Sequence, residues 1–376
     1  MKFRVKTIEL KKWLDIVNHA TASITTTPIL ENILIKVNFN NVVLTANNLE
    51  TAIEYTITQE LEITSEGAFC VPSKLFTSYV NLVTDDYIEI ELTNNELIQV
   101  TTVSGEIKIK GIEAEEFPLI PTIREENSLN ISWKILKKAI EKTLFSAAEW
   151  NIRPTLAWIL FNISQNKAIF ASTDSLRLSE YKTELKENSI YDFSQIVPSK
   201  TASEIKSIIK DDEEIKIIYW DSQIAFFFWN TKFFSRVLNW RFPDYKNFFP
   251  TSWTTKAEVN RVDLIQALKK INLISRENSY SIKISFSWEL WIVIDAWETQ
   301  IWEWEIRLSW VIEWEDNIIW INSIFLIEVL NVIDTTHVSI SFESPLSPIL
   351  ITPLADPEEK NKNEEFRHII MPLKIQ

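Results

Sequence analysis

The sequence of 376 residues predicts an α+β fold in which one unit, two helices packed on antiparallel sheets, occurs three times. The first observation is a repeat, because Val-Pro-Ser-Lys at 71–74 returns at 197–200. The second is the order of patterns: an amphipathic helical stretch, alternating strands, a second helical stretch and further strands follow one another in each unit. The third is an offset of about 125 residues shared by the equivalent segments, which chance matches would not share.

Further matches extend the repeat over the whole chain. The matching pairs are 28–34 with 154–160, 45–49 with 171–175, and Phe-Pro at 117–118 with Phe-Pro at 242–243. A third, weaker copy places 294–297 against the turn at 171–175 and 321–323 against Val-Pro-Ser. Polar, turn-forming linkers are expected near 118–127 and 250–256. We therefore predict domains at 1–120, 128–250 and 256–376.

Each unit has the same predicted elements. The first helices are expected at 8–20, 133–148 and 262–274, and the second at 74–82, 200–210 and 323–332. Ser73 and Ser199 precede second helices and are predicted N-caps, because their hydroxyls can accept from the free N–H groups of the first turn. Alternating residues at 88–92 and 106–110 predict half-buried antiparallel strands. At 171–178 we predict a strand end, a turn held by Asp174 through its own backbone, and a second strand.

The composition is that of a soluble globular protein, with 46% hydrophobic and 24% charged residues. There is no run of eighteen apolar residues and no signal-peptide pattern, so we expect a cytoplasmic protein without a membrane partner. The single cysteine, Cys70, excludes an intramolecular disulfide and fits a reducing compartment. The net charge of -14 predicts repulsion from nucleic acid on average, although the distribution of charge matters more than its total.

Glycine and tryptophan occur in unusual numbers. The chain has 3 glycines and 16 tryptophans, whereas ordinary usage gives roughly 26 glycines in this length. Several tryptophans stand in turn-like contexts, as at 228–231, 239–241 and 287–289. We hypothesise that many of these positions are glycine in the native protein, through a stop codon read here as tryptophan and decoded as glycine by the source organism. The alternative is a protein truly rich in tryptophan, and the intact mass of protein from the native source distinguishes the two.

The residues predict no catalytic, metal or cofactor site. His19, His337 and His368 lack the spacing of a metal site, and Cys70 stands in an apolar strand as an expected core residue. There is no glycine-rich phosphate loop, even with glycine restored at the tryptophans. Acidic clusters at 85–86, 211–214 and 358–359 stand in polar turns and are expected to be solvated. We therefore predict that the protein is not an enzyme.

Basic residues are grouped on the predicted helices. In the helix at 133–148, lysines recur every four residues opposite an apolar face, and the helix at 200–210 repeats the pattern. On one helix such a face is usually only the solvated side. At equivalent positions of a repeat within an acidic chain, it favours a positive surface that follows phosphates without reading sequence. The residues are Lys134, Lys137, Lys138, Lys142, Lys200, Lys206 and Lys210, with Lys11, Lys12 and Lys74 in the first unit and Arg261, Lys269, Lys270 and Arg276 in the third.

Five motifs carry a resemblance to a known family. They are Ala-Glu-Glu-Phe-Pro at 114–118, Arg-Pro-Thr-Leu-Ala-Trp-Ile-Leu-Phe at 153–161, Ser-Thr-Asp-Ser-Leu-Arg-Leu at 172–178, Ser-Arg-Val-Leu-Asn-Trp-Arg-Phe-Pro-Asp-Tyr at 235–245, and Ile-Met-Pro-Leu-Lys at 370–374. The motif at 235–245 is the most specific. Together they resemble the bacterial sliding clamp, the beta subunit of DNA polymerase III, over the whole chain. Trp158 and Trp240 stand where this family has glycine, which supports the glycine hypothesis.

The resemblance implies a processivity factor of DNA replication. Two protomers would associate head to tail as a homodimer and close into a ring of six similar domains around double-stranded DNA. The resemblance also implies that helices line the hole, with Lys134, Lys138, Lys142, Arg153, Lys200, Lys206 and Lys210 facing DNA. Ile107 and Ile109 of one protomer would pack against Leu273 and Ile274 of its partner.

The resemblance further implies an apolar cleft between the second and third units. There the family binds short peptides of the replicative polymerase alpha subunit, the clamp loader and other proteins with a clamp-binding motif. Apolar walls with an arginine and backbone groups suit a linear peptide with apolar anchors. The implied residues are Leu156, Thr173, Ser175, Leu176, Arg177, Leu178, Pro243, Phe248, Leu346, Ile369, Ile370, Met371, Pro372 and Leu373. Three further positions depart from the family: Ile24 replaces a common basic residue, and Ser175-Leu176 replaces Gly-His or Gly-Tyr.

We predict a non-catalytic DNA sliding clamp, with two alternatives left open. A peptide-binding scaffold of the same fold without ring closure would be monomeric at micromolar concentration. An enzyme that uses an acidic pair would lose turnover on replacement of Asp174 while its fold is kept.

Overall fold

The computed structural model describes the chain except residues 23–24, 95, 121–127, 150–151, 154–155, 186–191, 211–213, 221, 238–240, 288–290, 297–304, 310, 315, 355–362 and 375–376. Within the described residues the α-helices are α1 (Thr7–Asn18), α2 (Ser73–Leu82), α3 (Trp133–Thr143), α4 (Ser199–Ile208), α5 (Arg261–Ser275) and α6 (Ser323–Val332). They form three successive pairs, which confirms two helices in each predicted unit. None of the described helices is long and apolar enough to cross a membrane.

The strands follow the alternating segments of the sequence. In chain order they are β1 (Lys2–Lys6), β2 (Asn32–Asn38), β3 (Asn41–Asn47), β4 (Thr51–Ile57), β5 (Leu61–Ser65), β6 (Gly67–Pro72), β7 (Tyr87–Asn94), β8 (Leu97–Thr102), β9 (Gly105–Lys110), β10 (Ser128–Ser132), β11 (Trp158–Ser164), β12 (Lys167–Thr173), β13 (Arg177–Glu184), β14 (Phe193–Pro198), β15 (Glu214–Trp220), β16 (Gln223–Phe228), β17 (Thr231–Arg236), β18 (Thr255–Asn260), β19 (Ser281–Ser287), β20 (Trp291–Ala296), β21 (Glu305–Ser309), β22 (Val311–Trp314), β23 (Asn317–Asn322), β24 (His337–Phe342), β25 (Ile349–Leu354) and β26 (Glu364–Ile370). The predicted strands at 88–92 and 106–110 are confirmed as parts of β7 and β9.

The chain forms two compact units. The first comprises Met1–Trp133 and Ser207–Asn239, and the second comprises Lys134–Lys206 and Trp240–Gln376. The first unit contains a five-stranded sheet in the order β5-β1-β7-β8-β9 and an eight-stranded sheet in the order β10-β15-β16-β17-β4-β3-β2-β6. The second unit contains a nine-stranded sheet in the order β14-β11-β12-β13-β26-β25-β24-β18-β22 and a four-stranded sheet in the order β21-β20-β19-β23.

The middle repeat contributes to both units. Its strand β17 pairs with β4 of the first repeat, and its strand β13 pairs with β26 of the third. Both pairings are antiparallel and join residues far apart in the chain. The sheets are therefore shared between neighbouring repeats, an arrangement that the repeat pattern by itself did not predict.

Several helices end or begin differently from the prediction. α3 stops at Thr143, short of residue 148, because residues 144–146 form a 3-10 turn and Ala147 is extended. Ser73 was predicted as an N-cap but is the first residue of α2, and its hydroxyl contacts the side-chain oxygen of Asn18 on α1. Ser323 of α6 contacts Asn272 of α5 in the same way. The cap prediction for Ser73 is wrong, because the hydroxyl joins two paired helices. Ser199 likewise begins α4 rather than preceding it.

Cys70 is a core residue, as predicted. It is completely buried in β6, and burial raises the pKa of its thiol to about 12. A thiol with such a pKa stays protonated at neutral pH and is a poor nucleophile.

The turn at Trp229 bears on the glycine hypothesis. Trp229 follows β16 in the two-residue connection to β17 and has φ of 44°, in the left-handed region. This backbone conformation costs an L side chain roughly 1–2 kcal/mol and suits glycine. The turn geometry therefore favours glycine at this position.

Replacing Trp229 by glycine is expected to stabilise the fold relative to replacing it by alanine. Both variants remove the indole, but only glycine removes the conformational cost, so their free energies of unfolding should differ by about 1 kcal/mol. Urea denaturation followed by circular dichroism measures the difference. An alanine variant at least as stable as the glycine variant would contradict this explanation of the turn.

Candidate functional site

One face of the nine-stranded sheet carries a buried apolar cluster. Ala171 of β12, Leu178 of β13 and Ile369 of β26 pack with Tyr245 and Phe249 from the segment after β17. Leu178 lies opposite Ile369 in the antiparallel register, so both side chains share this face. The partly buried Leu160, Phe242 and Leu350 complete the floor of a candidate cleft.

The turn between β12 and β13 is held as the sequence predicted. The carboxylate of Asp174 accepts hydrogen bonds from the backbone N–H groups of Leu176 (2.9 Å) and Arg177 (3.0 Å). The hydroxyl of Thr173 donates to the carbonyl of Arg177 at 2.7 Å. Ser175 has φ of 75°, a backbone conformation that suits glycine. Asp174, the residue that the enzyme alternative required, thus has a structural role in the turn.

The C-terminal segment is tied to this turn. The N–H of Met371 donates to the carbonyl of Leu176 at 2.8 Å, and the N–H of Leu373 donates to the carbonyl of Trp320 at 2.8 Å. Arg153 donates to the carbonyl of Asp174 at 3.0 Å and contacts Ser175. Predicted residues from three distant parts of the chain are therefore brought together.

Three apolar side chains of the predicted cleft set are exposed. Leu176 in the turn, Phe248 after the aromatic floor residues and Leu346 between β24 and β25 are 47%, 54% and 68% exposed. Pro243 and Ser175 are also exposed, and the partly exposed members of the predicted set are Leu156, Met371, Pro372 and Leu373. Exposed leucine and phenylalanine beside a buried apolar floor can bind apolar anchors of a partner.

Two predicted cleft residues lie on the opposite face of the sheet. Arg177 and Ile370 are register partners, one residue away from Leu178 and Ile369, and successive side chains of a strand point to opposite faces. Both are buried on the face that carries the helices. Their assignment to the cleft wall is therefore corrected.

Arg177 is engaged within the protein. Its Nε donates to the Asp174 carboxylate at 3.0 Å, and its guanidinium contacts Glu328 and lies 4.3 Å from the ring centre of Phe325. A buried guanidinium with these partners joins the turn to helix α6.

The residues of the predicted basic surface differ in their exposure. Lys134, Lys200, Lys210 and Arg153 are exposed. Lys138 is paired with Glu364, and Lys206 lies 3.3 Å from Glu141. Such half-exposed pairs are weak and can exchange partners with phosphate.

The prediction that Lys142 faces DNA is wrong. It is only 6% exposed, and its ammonium donates to the carbonyl of Val332 at the end of α6 and to Asp334 at 2.8 Å. Burial lowers the pKa of Lys142, and its hydrogen bond to the Asp334 carboxylate partly offsets this effect. The spacing of four residues placed Lys142 on the face of Lys138, but long-range packing covers the end of the helix.

Lys142→Met is expected to lower stability without lowering DNA affinity. The change removes a charged donor from Val332, at a cost of about 1–3 kcal/mol in the free energy of unfolding. Lys134→Met is the matched control, since an exposed lysine should change stability by less than about 0.5 kcal/mol and should reduce the salt dependence of DNA binding. Urea denaturation and DNA titration at several salt concentrations measure both effects, and a reversed pattern would refute the correction.

Of the four predicted dimer residues, three are at least partly exposed and one is buried. Leu273 of α5 is 77% exposed, and Ile107 and Ile274 are partly exposed. Ile109 is only 2% exposed and faces the core of its own unit, so its assignment to the interface is corrected. β9 and β21 are edge strands of the described sheets, with backbone groups available for pairing.

The sequence analysis did not predict several residues that are exposed apolar side chains or belong to the floor of the candidate cleft. Leu75 and Leu82 are exposed on α2, seven residues apart on one face. Tyr245 and Phe249 belong to the floor of the candidate cleft but were not predicted as cleft residues, although Tyr245 lies in the motif at 235–245. The alternating patterns of β13 and β26 could have assigned Arg177 and Ile370 to the correct face only if the pairing of these two strands had been known. Ile24 and Trp240 lie outside the described residues.

The chain matches the three domains of the DNA polymerase III beta subunit in order. The N-terminal domain matches residues 1–121, the central domain residues 130–244 and the C-terminal domain residues 246–374. The chain belongs to the DNA polymerase III beta subunit family. Its relatives include the beta sliding clamp of Staphylococcus epidermidis, 30% identical over 95% of this chain and 96% of the relative. The beta sliding clamp of Bacillus subtilis is 27% identical over 93% and 95%.

Solved structures of beta subunits have the same fold. The DNA polymerase sliding clamp of Bacillus subtilis superposes with a TM-score of 0.94 at 26% identity, and the beta subunit of Streptococcus pyogenes with 0.93 at 27%. Each covers 100% of both chains. These relations confirm the predicted α+β clamp fold with three repeated domains. They also confirm the predicted DNA sliding clamp over the scaffold without ring closure.

Proposed function

We propose that this beta subunit closes with a second copy into a ring around double-stranded DNA and tethers the replicative polymerase to it. The observation that carries the proposal is the match of three clamp domains, in order, along the whole chain. A head-to-tail contact closes into a ring when its rotation returns on itself. The exposed Leu273 and the edge strands β9 and β21 support such a contact.

The proposed DNA surface is sequence-independent. Lys134, Lys200 and Arg153 of the second unit and Lys210 of the first are exposed cations that can neutralise phosphates, and Lys138 and Lys206 can exchange their carboxylate partners for phosphate. Such contacts position the ring without fixing it to a base sequence. In a chain of net charge -14, retention on DNA would then depend on ring closure rather than on electrostatic affinity.

The proposed partners of the cleft are linear peptides. These would come from the polymerase alpha subunit, the clamp loader and other proteins with a clamp-binding motif, and their apolar anchors would contact Leu178, Ile369 and the exposed Leu176, Phe248 and Leu346. The chain would contribute binding and tethering, while the polymerase chemistry belongs to other subunits.

Retention on circular DNA tests the function. The protein is loaded onto a nicked circle by a clamp loader, washed in high salt, and the circle is then linearised. Binding that resists salt and disappears on linearisation is expected of a closed sliding ring. Binding lost in salt before linearisation would indicate electrostatic association and would overturn the proposal.

A further inference from the structure

A buried ionic cluster lies beside the apolar floor of the cleft. Glu180 of β13 is only 2% exposed, although it is a carboxylate. Arg367 of β26, its register partner, donates to it through Nε at 3.1 Å and through a second guanidinium nitrogen. The ammonium of Lys182 lies 3.0 Å from the same carboxylate oxygen of Glu180, and the hydroxyl of Tyr245 donates to the other carboxylate oxygen at 2.8 Å.

The cluster keeps Glu180 ionised. Burial alone would raise its pKa, but the hydrogen bonds from Arg367, Lys182 and Tyr245 outweigh burial and hold the pKa of Glu180 below its usual range. Burial, and then the charge of Glu180, raise the pKa of Tyr245, so its hydroxyl remains a donor. A buried carboxylate that accepts from two cations and a phenol is a strong, fixed acceptor.

The same cluster holds the aromatic strap, defined as residues 242–249. Tyr245, near its middle, is bound through its hydroxyl, and Phe249, at its end, lies with its ring centre 4.1 Å from the guanidinium of Arg367. Phe242 packs edge-on against Tyr245, with ring centroids 5.6 Å apart. The aromatic strap has no α-helix or strand, only a short 3-10 turn at Lys246–Phe248, so these side-chain contacts are important for its position.

Glu180 lies on the cleft face of the sheet. It is two residues from Leu178 on β13, and Arg367 is two residues from Ile369 on β26, so all four side chains share one face. The ionic cluster and the peptide-binding floor are therefore adjacent parts of one surface, with the aromatic strap covering both.

We propose that Glu180, through Tyr245 and Arg367, is a positioning residue that fixes the aromatic strap as a wall of the peptide cleft and thereby sets peptide affinity. This inference rests on the proposed peptide-binding function. A strap released from Glu180 would sample several positions, and a peptide would bind only to the competent fraction. Ordering the strap in advance removes that loss.

The experiment measures peptide affinity in full-length variants. The probe is a fluorescein-labelled peptide with adjacent leucine and phenylalanine anchors, titrated by fluorescence anisotropy at a temperature where circular dichroism shows every variant folded. Tyr245→Phe removes only the hydroxyl, and we expect about tenfold weaker binding, the equivalent of one charge-assisted hydrogen bond. Glu180→Gln is expected to act in the same direction, and the effect of the double variant should be smaller than the product of the two single effects, because both changes act on the Tyr245–Glu180 contact.

The controls separate positioning from a general loss of structure. Tyr181→Phe removes a hydroxyl from a buried tyrosine on the same strand but on the helix face, and we expect unchanged affinity. Phe248→Asp alters the exposed wall directly and tests the cleft itself. If Phe248→Asp loses binding while Tyr245→Phe binds like the unaltered protein, the positioning role is overturned and the peptide cleft stands. If the unaltered protein does not bind the peptide, the proposed cleft function fails, and the positioning role fails with it.

Discussion

Leu273→Asp is expected to convert the dimer into a monomer and to abolish salt-resistant retention on circular DNA. Leu273 is 77% exposed on α5, where a folded monomer gains nothing from a large apolar side chain. Burying a leucine contributes about 1.5–3 kcal/mol, and a buried aspartate adds a desolvation cost, so the dimer should weaken by about a thousandfold or more. Two such contacts exist in a ring closed by two equivalent interfaces, which increases the effect.

Sedimentation velocity at micromolar concentration measures the change. Leu346→Asp is the matched control, because Leu346 is another exposed leucine, at 68%, and is not among the predicted dimer residues. The control should sediment as a dimer and the Leu273 variant as a monomer with unchanged circular dichroism. A dimeric Leu273→Asp variant that still resists salt on circles would exclude Leu273 from the interface.

Phe248→Asp is expected to weaken peptide binding by about thirtyfold or more. Phe248 is 54% exposed beside the buried floor of Leu178, Tyr245 and Ile369. An aromatic anchor contact contributes about 2 kcal/mol or more at a binding hot spot, and a carboxylate beside apolar peptide side chains adds a desolvation cost. Since Phe248 is exposed, the fold should tolerate the change with little loss of stability.

Titration with the labelled peptide checks this result. Phe39→Asp makes the same chemical change at a phenylalanine that is 81% exposed in the other unit, after β2. The Phe39 variant should bind the peptide normally, and both variants should remain dimeric. Equal affinities for the two variants would show that Phe248 is not part of the cleft wall.

Local features were predictable because they depend on neighbours in the sequence. The turn at Asp174 follows from the ability of an aspartate carboxylate to accept hydrogen bonds from the backbone N–H groups two and three positions later, and the structure has both bonds. The repeat offset predicted three helix pairs, and the apolar context of Cys70 predicted its burial. The motifs at 172–178 and 235–245 pointed to the correct family for the same reason: they are contiguous in the chain.

The sequence by itself determined the repeated α+β clamp fold, the helix pairs and the turn at Asp174. Only the tertiary structure decided which faces these segments present. The pairing of β13 with β26 placed Leu178 and Ile369 on the face of the candidate cleft and Arg177 and Ile370 on the opposite face. Packing near the end of α6 buried Lys142, which periodicity had placed on a solvated face. Periodicity tells which side chains share a face, but the partner of that face is set by contacts between residues distant in the chain.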